Sequence, residues 1–353
     1  MIGTRPEAIK MAPVIRELRR RQIPHRVITT GQHRDWRMMG AFLAGFELEV
    51  DHELPPAPHD LLESFLAITR GLGAVFAARR PKLVLAVGDT TTVIAAAFAA
   101  RKSGSGFGHV EAGLRAFSRE LPEEEHRICA DAMADLLFAP TSIAIANLTR
   151  EHVNGRIIHT GNTVLDALRM HAPVRRETRE GILVTLHRQE TVDRPDRLAS
   201  LFAAIDRLAM TRPVIWPLHP RTRAKAAEAG LELPCNVDIR EPIDHPAFLE
   251  LLAGAAAVIT DSGGVQEEAA ILGTPCVIVR ANTERMETIE AGVAVLATTE
   301  AASIAVATAR IFEDWPAFAR PVPELYGDGH AGAKIVDAAL AWLASPAPVE
   351  MVA

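Results

Sequence analysis

Three acidic residues stand where a buried strand ends or where a helix begins: Asp89, Glu111 and Glu123. The apolar run Lys82–Val87 is typical of a strand buried on both faces, and Asp89 follows it within two residues. A second strand, Phe107–Val110, ends directly at Glu111. Ligands of open α/β sheets bind beyond the carboxyl ends of the strands, so these carboxylates predict a site at that edge.

Two of these acids also have a purely structural explanation. Asp89 precedes Thr90 and can serve as the N-cap of a helix from about Thr92 to Arg101. Glu123 follows a proline and can simply favour the helix macrodipole. Glu111 has no helix start beside it, so it is the hardest of the three to explain as structural.

Composition and charge favour a cytosolic soluble enzyme with two domains. The 353 residues exceed the size at which one core stops growing, and 48% of them are hydrophobic. The net charge is −6 and the basic residues are scattered, which argues against nucleic acid or an anionic membrane surface as a partner. The early charges exclude a signal peptide, and the apolar runs Val93–Ala100 and Leu251–Ile259 are too short to span a bilayer.

The three cysteines are far apart and form no C-x-x-C motif: Cys129, Cys235 and Cys276. Neither a disulfide framework nor a thiolate metal site is indicated, and we predict no metal. A reducing compartment fits this pattern.

Short apolar runs alternate with helix-like segments along the chain, which is the βαβ rhythm. Further predicted strands are Arg26–Thr30, Ile157–Thr160, Ile182–Leu186, Val214–Leu218, Val237–Arg240, Ala257–Thr260 and Cys276–Val279. Proline and clustered charge interrupt the rhythm near Leu168–Glu180, where we expect the boundary between two βα domains.

The second half carries a predicted anion site of its own. The segment 259–268 is a strand end, a turn Ser262-Gly263-Gly264 and a helix start, so backbone N–H groups and the helix dipole can meet a diphosphate. Glu268, in the first turns of that helix, can accept from ribose hydroxyls. A plain helix N-terminus remains the alternative.

Other nucleotide and metal motifs are absent from the sequence. There is no G-x-x-x-x-G-K-[ST], so the chain is not a P-loop nucleotidase. The glycines of Gly104–Gly108 precede a strand and do not join a strand to a helix, so we predict no nicotinamide site. His109-Val110-Glu111 is not followed by P-C-x-x-C, which argues against a zinc deaminase.

Eight motifs occur in an order that resembles the bacterial UDP-N-acetylglucosamine 2-epimerases. They are Gly3-Thr-Arg-Pro-Glu-Ala-Ile-Lys-Met-Ala-Pro13, Thr30-Gly-Gln-His-Arg34, Gly88-Asp-Thr-Thr-Thr92, His109-Val-Glu-Ala-Gly-Leu-Arg115, Pro122-Glu-Glu124, Gly161-Asn-Thr-Val-Leu-Asp166, His187-Arg-Gln-Glu190 and Asp261-Ser-Gly-Gly-Val-Gln-Glu-Glu268. The resemblance extends from residue 3 to about Gly332, and so ordered a set is specific.

The resemblance implies an α/β GT-B fold of two doubly wound, Rossmann-like domains facing across a cleft. These would be residues 1–168, joined by a C-terminal helix 330–345, and a UDP-binding domain of residues 169–329. It also implies a cytoplasmic homodimer that serves cell-envelope polysaccharide synthesis and needs no cofactor.

The implied reaction is inversion at C2 of the sugar. The C2 hydrogen has no adjacent carbonyl to stabilise a carbanion, so direct deprotonation is not feasible near neutral pH. In the family UDP leaves C1 first, which acidifies C2–H and gives a 2-acetamidoglucal. Reprotonation on the other face and return of UDP complete the inversion, and each half requires acid/base groups and carboxylates for the cationic ring.

Several positions of this chain match functional residues of the family. The catalytic matches are Asp89, Glu111, Glu123 and His187. The expected phosphate or carboxylate contacts are Arg5, Lys10 and Arg127, with His219 lining the interdomain cleft. The matches in the UDP-binding turn are Ser262, Gly263, Gly264 and Glu268. Candidates for an allosteric site are Gln32, His33, Arg34, Arg70 and Arg188.

The chain departs from the family pattern at several places. Only Met1-Ile2 precede Gly3, where relatives carry a full strand, so the first sheet is expected to lack most of a central strand. Glu125-His126 replaces an apolar-Asn pair, Met286 replaces the proline of R-P-E, and Asp35 follows Arg34. Substrate preference and regulation therefore stay open.

Four alternatives remain beside the main interpretation. The same chemistry can act on a related sugar such as UDP-2,3-diacetamido-glucuronate, or water can intercept the intermediate and release N-acetylmannosamine and UDP. A catalytically inactive nucleotide-sugar-binding protein is disfavoured by retention of all three acids and His187. A GT-B glycosyltransferase is disfavoured because no acceptor motif accompanies the acids.

Overall fold

A computed structural model describes residues 1–32, 43, 45–58, 60–118, 121–170 and 179–345. The chain forms two compact units, one of Met1–Ala167 together with the chain from Tyr326, and the other of Leu168–Leu325. Each unit is a parallel β-sheet with helices packed on it.

The strands of the first unit are β1 (Ile28–Thr29), β2 (His52–Glu53), β3 (Leu83–Val87), β4 (Gly106–Val110), β5 (Leu136–Ala139) and β6 (Arg156–His159). Its helices are α1 (Arg5–Arg20), α2 (Leu61–Arg79), α3 (Thr91–Ser103), α4 (Pro122–Met133), α5 (Ser142–Arg150), α6 (Thr163–Met170) and, at the carboxyl end of the chain, α15 (Ala331–Ala344). Alanines of α3 pack against β3 and β4 at the centre of this unit's core.

Met1 and Ile2 lie between two pieces of the first sheet. The order β3-β4-β5-β6 forms one piece and β1-β2 the other, and all of these pairs are parallel. Ile2 is fully buried and bridges to Thr29, while the Met1 amino group donates to the Leu85 carbonyl at 2.8 Å. These two residues therefore occupy the place of a strand between β1 and β3.

The strands of the second unit are β7 (Ile182–Thr185), β8 (Val214–Pro217), β9 (Asp238–Arg240), β10 (Ala257–Thr260), β11 (Cys276–Val279) and β12 (Ala294–Ala297). Its helices are α7 (Gln189–Val192), α8 (Pro195–Ala209), α9 (Pro220–Glu228), α10 (His245–Gly254), α11 (Gly263–Leu272), α12 (Met286–Glu290), α13 (Ala301–Glu313) and α14 (Trp315–Phe318).

The second sheet has the order β9-β8-β7-β10-β11-β12, with every pair parallel. This is the Rossmann order, in which the direction of winding reverses between β7 and β10. Crevices beyond the carboxyl ends of the strands at such a reversal are where doubly wound sheets bind ligands. The sequence-based prediction of an α/β fold with doubly wound sheets is thus confirmed.

The strand predictions were accurate for several continuous apolar runs but missed three short strands, two of which are apolar throughout. Ala257–Thr260 and Cys276–Val279 were predicted with the observed bounds. The missed strands are β2, β5 and β12, which have two to four residues each. The helix-cap explanation of Asp89 is wrong, because the N-cap of α3 is Thr90, whose hydroxyl accepts from the Thr92 N–H.

Within the described residues, one helix is long and apolar enough to cross a membrane. It is α2, and 22% of its apolar window is buried in this chain. Core helices of soluble proteins meet the same criterion, so length and composition are weak evidence for a span. The buried residues of α2 include Ile68, Leu72 and Phe76, and the helix packs on α3.

Two helical glycines should respond oppositely to alanine. A Cβ at Gly332 in α15 would lie 2.9 Å from the Pro13 backbone, whereas a Cβ at Gly73 in α2 would meet nothing within 4 Å. We expect Gly332→Ala to lower the free energy of unfolding by about 1 to 3 kcal/mol through overpacking. Gly73→Ala should raise it by about 0.5 to 1 kcal/mol, since alanine loses less entropy in a helix. Urea unfolding measures both, and equal effects would contradict the packing of α15 on α1.

Candidate active site

Glu111 is a buried carboxylate on a strained turn at the end of β4. Its backbone has φ 69°, a left-handed conformation that costs a residue with a side chain about 1 kcal/mol. Its N–H donates to the Phe138 carbonyl at 3.1 Å, and its Oε1 accepts from Nζ of the buried Lys10 on α1. Strain of this kind persists where surrounding contacts hold it, and it clusters at functional sites.

Asp89 is held by Arg127, whose side chain comes from α4. Nε and Nη2 of Arg127 donate to Asp89 Oδ2 at 3.0 and 2.6 Å, and the guanidinium is almost completely buried. The backbone carbonyl of Asp89 lies 2.9 Å from Nδ1 of His126. Glu111 lies close by, because a Cβ placed on Gly88 would be 3.6 Å from Glu111 Oε2.

The two glutamates after Pro122 have different environments. Glu124 is buried and accepts from the N–H groups of Ala116 and Phe117 and from Arg127 Nη1 at 2.5 Å. It therefore anchors the segment after Glu111. The Glu123 side chain is half-buried and makes no hydrogen bond or ion pair within the part of the chain that the structure describes.

The loop that opens α1 packs beside the Asp89 turn. The Glu7 carboxylate accepts from the Gly3 N–H at 2.6 Å and from the Thr90 hydroxyl at 2.5 Å. Burial raises the pKa of Glu7 to about 7 in spite of these two donors. Arg5, the first residue of α1, has its pKa lowered by burial.

The described candidate allosteric residues belong to both units. Gln32 Oε1 accepts from the Thr92 N–H at 3.0 Å and from its hydroxyl at 2.8 Å, so it is tied to the first turn of α3. Arg70 is exposed on α2, and Arg188 belongs to the second unit. His33 and Arg34 lie outside the described residues.

Asp261 organises the point of the second sheet where its winding reverses. Its fully buried carboxylate accepts from the backbone N–H of His187 at 3.0 Å and of Arg188 at 2.9 Å. The His187 ring lies with Nδ1 3.6 Å from Asp261 Oδ1. The first residue of the Asp-Ser-Gly-Gly turn therefore fixes the neighbouring histidine turn.

His187 stacks on a second histidine. The rings of His187 and His219 have centroids 5.2 Å apart at an interplanar angle of 30°. His219 is also the N-cap of α9, and its Nδ1 accepts from the Arg221 N–H at 3.1 Å. His219 thus has a structural role as a helix cap. Because Nδ1 accepts, Nε2 carries the proton in the neutral ring.

The two glycines of the turn before α11 differ in what surrounds them. A Cβ on Gly263 would lie 2.6 Å from Arg285 Nη1 and 2.9 Å from Glu284 Oε1, whereas a Cβ on Gly264 would meet nothing within 4 Å. Gly263 is therefore required by the protein's own packing. Gly264 leaves open space at a helix N-terminus, where backbone N–H groups attract anions.

A buried ionic cluster lies behind this turn. Arg285 Nε donates to Glu267 Oε1 at 3.0 Å and its Nη1 donates to Glu284, which also accepts from Arg280 Nη1 at 2.6 Å. Burial raises the pKa of the neighbouring Glu287 to about 7. The charges of Arg280 and Arg285 are thus matched by Glu267 and Glu284, and the cluster fixes Arg285 beside the turn.

Glu268 has a partner that sequence reasoning missed. His245, at the start of α10, lies with Nε2 2.7 Å from Glu268 Oε1, and both side chains are largely buried. No motif singles out His245, because it is distant from Glu268 in the sequence. The position of His245 directly before Pro246, in the first turn of α10, was the only available signal.

Each unit thus collects one set of the predicted residues. The first unit holds three carboxylates, two of them paired with buried cations, which suits proton transfer and stabilisation of a developing positive charge. The second unit holds a glycine turn at a helix N-terminus with a histidine at the adjacent strand end, an arrangement that suits a diphosphate.

Comparisons with known proteins agree on one family. A family model described as UDP-N-acetylglucosamine 2-epimerase matches residues 16–340. A Methanococcus maripaludis protein named UDP-N-acetylglucosamine 2-epimerase is 36% identical over 96% of both chains. A Pseudomonas aeruginosa protein named UDP-2,3-diacetamido-2,3-dideoxy-D-glucuronate 2-epimerase is 34% identical over 96% of this chain and 97% of its own. The Methanocaldococcus jannaschii UDP-GlcNAc 2-epimerase, solved in complex with UDP-GlcNAc and UDP, has a TM-score of 0.87 and 33% identity, covering 96% of this chain and 98% of its own.

Proposed function

Because the chain belongs to the UDP-N-acetylglucosamine 2-epimerase family, we propose that it interconverts UDP-N-acetylglucosamine and UDP-N-acetylmannosamine. The observation that carries this proposal is the cluster of acids in the first unit. Asp89 and Glu111 lie at the ends of neighbouring strands, each with a buried cation, and Glu123 opens α4 nearby in the chain.

The proposed reaction breaks the C1–oxygen bond to UDP and moves the C2 proton to a carboxylate of the first unit. The electron pair of the C2–H bond forms the C1–C2 double bond of a 2-acetamidoglucal, and UDP keeps the pair of the bond it leaves. Proton delivery to the opposite face of C2 and attack of UDP on C1 reverse these steps. The Asp89, Glu111 and Glu123 carboxylates stabilise the cationic ring and exchange the proton.

The second unit supplies the proposed UDP site. The open approach at Gly264 lets the diphosphate reach the N–H groups at the start of α11, and the positive end of the helix dipole favours an anion there. Glu268, oriented by His245, accepts from the ribose hydroxyls. His187, fixed through Asp261, serves the leaving phosphate.

A related sugar is the second candidate substrate. The Pseudomonas aeruginosa relative that is named for a diacetamido-glucuronate is almost as similar to this chain as the Methanococcus maripaludis relative. Parallel assays with UDP-N-acetylglucosamine and UDP-2,3-diacetamido-glucuronate distinguish the two. The substrate with the higher kcat/KM is the preferred substrate.

Isotope exchange tests the proposed reaction. Product formed in deuterated water should carry deuterium at C2 with UDP still attached, because the C2–H bond breaks in every turnover. NMR of the incubation gives both results. Protium retained at C2 would exclude the elimination route, and free N-acetylmannosamine with stoichiometric UDP would indicate the hydrolysing reaction.

Catalytic acids and nucleotide contacts should separate in mutants. Asp89→Asn, Glu111→Gln and Glu123→Gln remove charge but keep shape, so turnover should fall at least ~100-fold, the scale of acid/base catalysis. Their UDP affinity should change little. Gly264→Val fills the open space at the helix N-terminus and should weaken UDP binding instead.

The control for that comparison is Gly263→Ala, which clashes with Arg285 and should reduce stability as well as affinity. Calorimetric UDP titration and steady-state kinetics of the same samples provide the comparison. Carboxamide variants that lose UDP binding as severely as Gly264→Val would show that the acids organise binding and are not the catalysts.

We also propose that the enzyme is a homodimer that pairs through the helices of the first unit. Large apolar side chains of α2, α3 and α4 are exposed in the single chain: Leu61, Leu62, Leu66, Phe98 and Ile128. The α2 and α4 helices both pack beside α3, and Phe65 and Phe98 meet edge to face at 5.6 Å. Contiguous exposed apolar surface of this kind marks an interaction site, and a second copy is the partner that the family resemblance implies.

Light scattering after size-exclusion chromatography tests the dimer. The wild type should have twice the 38.2 kDa mass of the chain, and Leu62→Glu combined with Leu66→Glu should have the mass of one chain. Val306→Glu, at an exposed apolar position of the second unit, is the matched control and should remain dimeric. A wild type that elutes with the mass of one chain would overturn the proposal.

A further inference from the structure

His109 is a fully buried histidine with two hydrogen-bond acceptors. It lies on β4 two residues before Glu111. Its Nδ1 is 2.6 Å from Asp131 Oδ1 and its Nε2 is 2.8 Å from the Gly88 carbonyl oxygen. A carboxylate and a carbonyl can only accept, so both ring nitrogens face groups that require a donor.

This geometry determines the charge of the ring. A neutral imidazole has one N–H and one lone pair, so either tautomer would place a lone pair against an acceptor oxygen. Only the imidazolium donates to both. Burial by itself would lower the pKa of His109, but the charge of Asp131 and the hydrogen bonds to Asp131 and Gly88 outweigh it and raise the pKa above its ordinary value.

The charges around the ring are balanced. Asp131 faces it from α4 and also accepts from Arg115 Nη2 at 2.7 Å. The Arg115 cation, in the segment after β4, acts against the imidazolium, but Glu151, the C-cap of α5, pairs with it at 2.6 and 2.8 Å. The Gly88 carbonyl that the ring contacts follows β3. The charged residue next to Gly88 in the sequence is Asp89, and Arg127 binds it.

The ring connects the three elements that carry the acids. Gly88, whose carbonyl it holds, directly precedes Asp89. Asp131 lies on the helix that begins beside Glu123, and its second oxygen accepts from the Gly113 N–H at 3.1 Å. The backbone is left-handed at Gly88, Glu111 and Gly113, so these turns depend on contacts that hold them.

We propose that His109, as a buried imidazolium, is a positioning residue that holds the Asp89 and Glu111 turns in register with α4. It contacts neither substrate nor reacting atoms. Loss of its proton leaves one acceptor without a donor and releases either the Gly88 carbonyl or Asp131. The catalytic consequence rests on the proposed function, whereas the charge state of the ring does not.

The sign of the pH effect follows from the raised pKa. The imidazolium contributes stability below the pKa of an unfolded histidine, and this contribution is lost as pH rises through the higher pKa of the folded state. Turnover should therefore decrease as pH rises, and the midpoint of this decrease should equal the midpoint of the His109 titration. UDP affinity should be nearly constant over the same range, because the nucleotide turn belongs to the second unit.

NMR of the full-length wild type with isotope-labelled histidine tests the charge directly. At neutral pH the His109 ring should show protons on both nitrogens, identified by their absence from His109→Gln. A neutral ring with a single proton would overturn the proposal whether or not the protein is an epimerase.

Kinetics test the positioning role. His109→Gln keeps one amide donor and removes the titration. We expect kcat to fall at least ~10-fold, as for misplaced catalytic groups, and the alkaline decrease in the pH profile of kcat to vanish. His52→Gln, at an exposed histidine of the same unit, should match the wild type. An alkaline limb that persists unchanged in His109→Gln would overturn the proposal, and the ring titration of the wild type remains decisive if that variant fails to fold.

Discussion

A carboxylate taken out of water has to be met by a cation or by N–H donors, and both units are arranged around this requirement. In the first unit Lys10 and Arg127 extend from two different helices to Glu111 and Asp89. In the second unit Asp261 is compensated by backbone N–H groups that follow β7. The placement of α1, α4 and the β7 turn follows from where these charges are buried.

The parts of the structure that could be predicted from sequence are those in which chemistry and local pattern coincide. Continuous apolar runs gave β10 and β11 with their observed bounds, and the polar residues after them marked the ligand-binding edge of the sheet. Glu111 could be recognised as unusual because no helix start explains it. Its left-handed backbone could not, since that depends on the Phe138 carbonyl of the neighbouring strand.

What the sequence could not provide are contacts between distant segments. The pattern of Pro122-Glu123-Glu124 does not say which glutamate binds backbone and which remains available, because the choice depends on the segment at Ala116. His245 could not be assigned to Glu268 for the same reason. The strand β2 has only two residues, both polar and exposed, so no sequence pattern separates it from a loop.

Asp261 has an evolutionary consequence. Its carboxylate belongs to the turn before α11 but sets the backbone of the His187 turn, so the two turns share one support. Substitutions in them should be epistatic, with combined effects that differ from the sum of the separate ones. A lineage that altered the His187 turn would disturb the turn before α11 at the same time. Divergence within such a family is therefore easier at positions that Asp261 does not support.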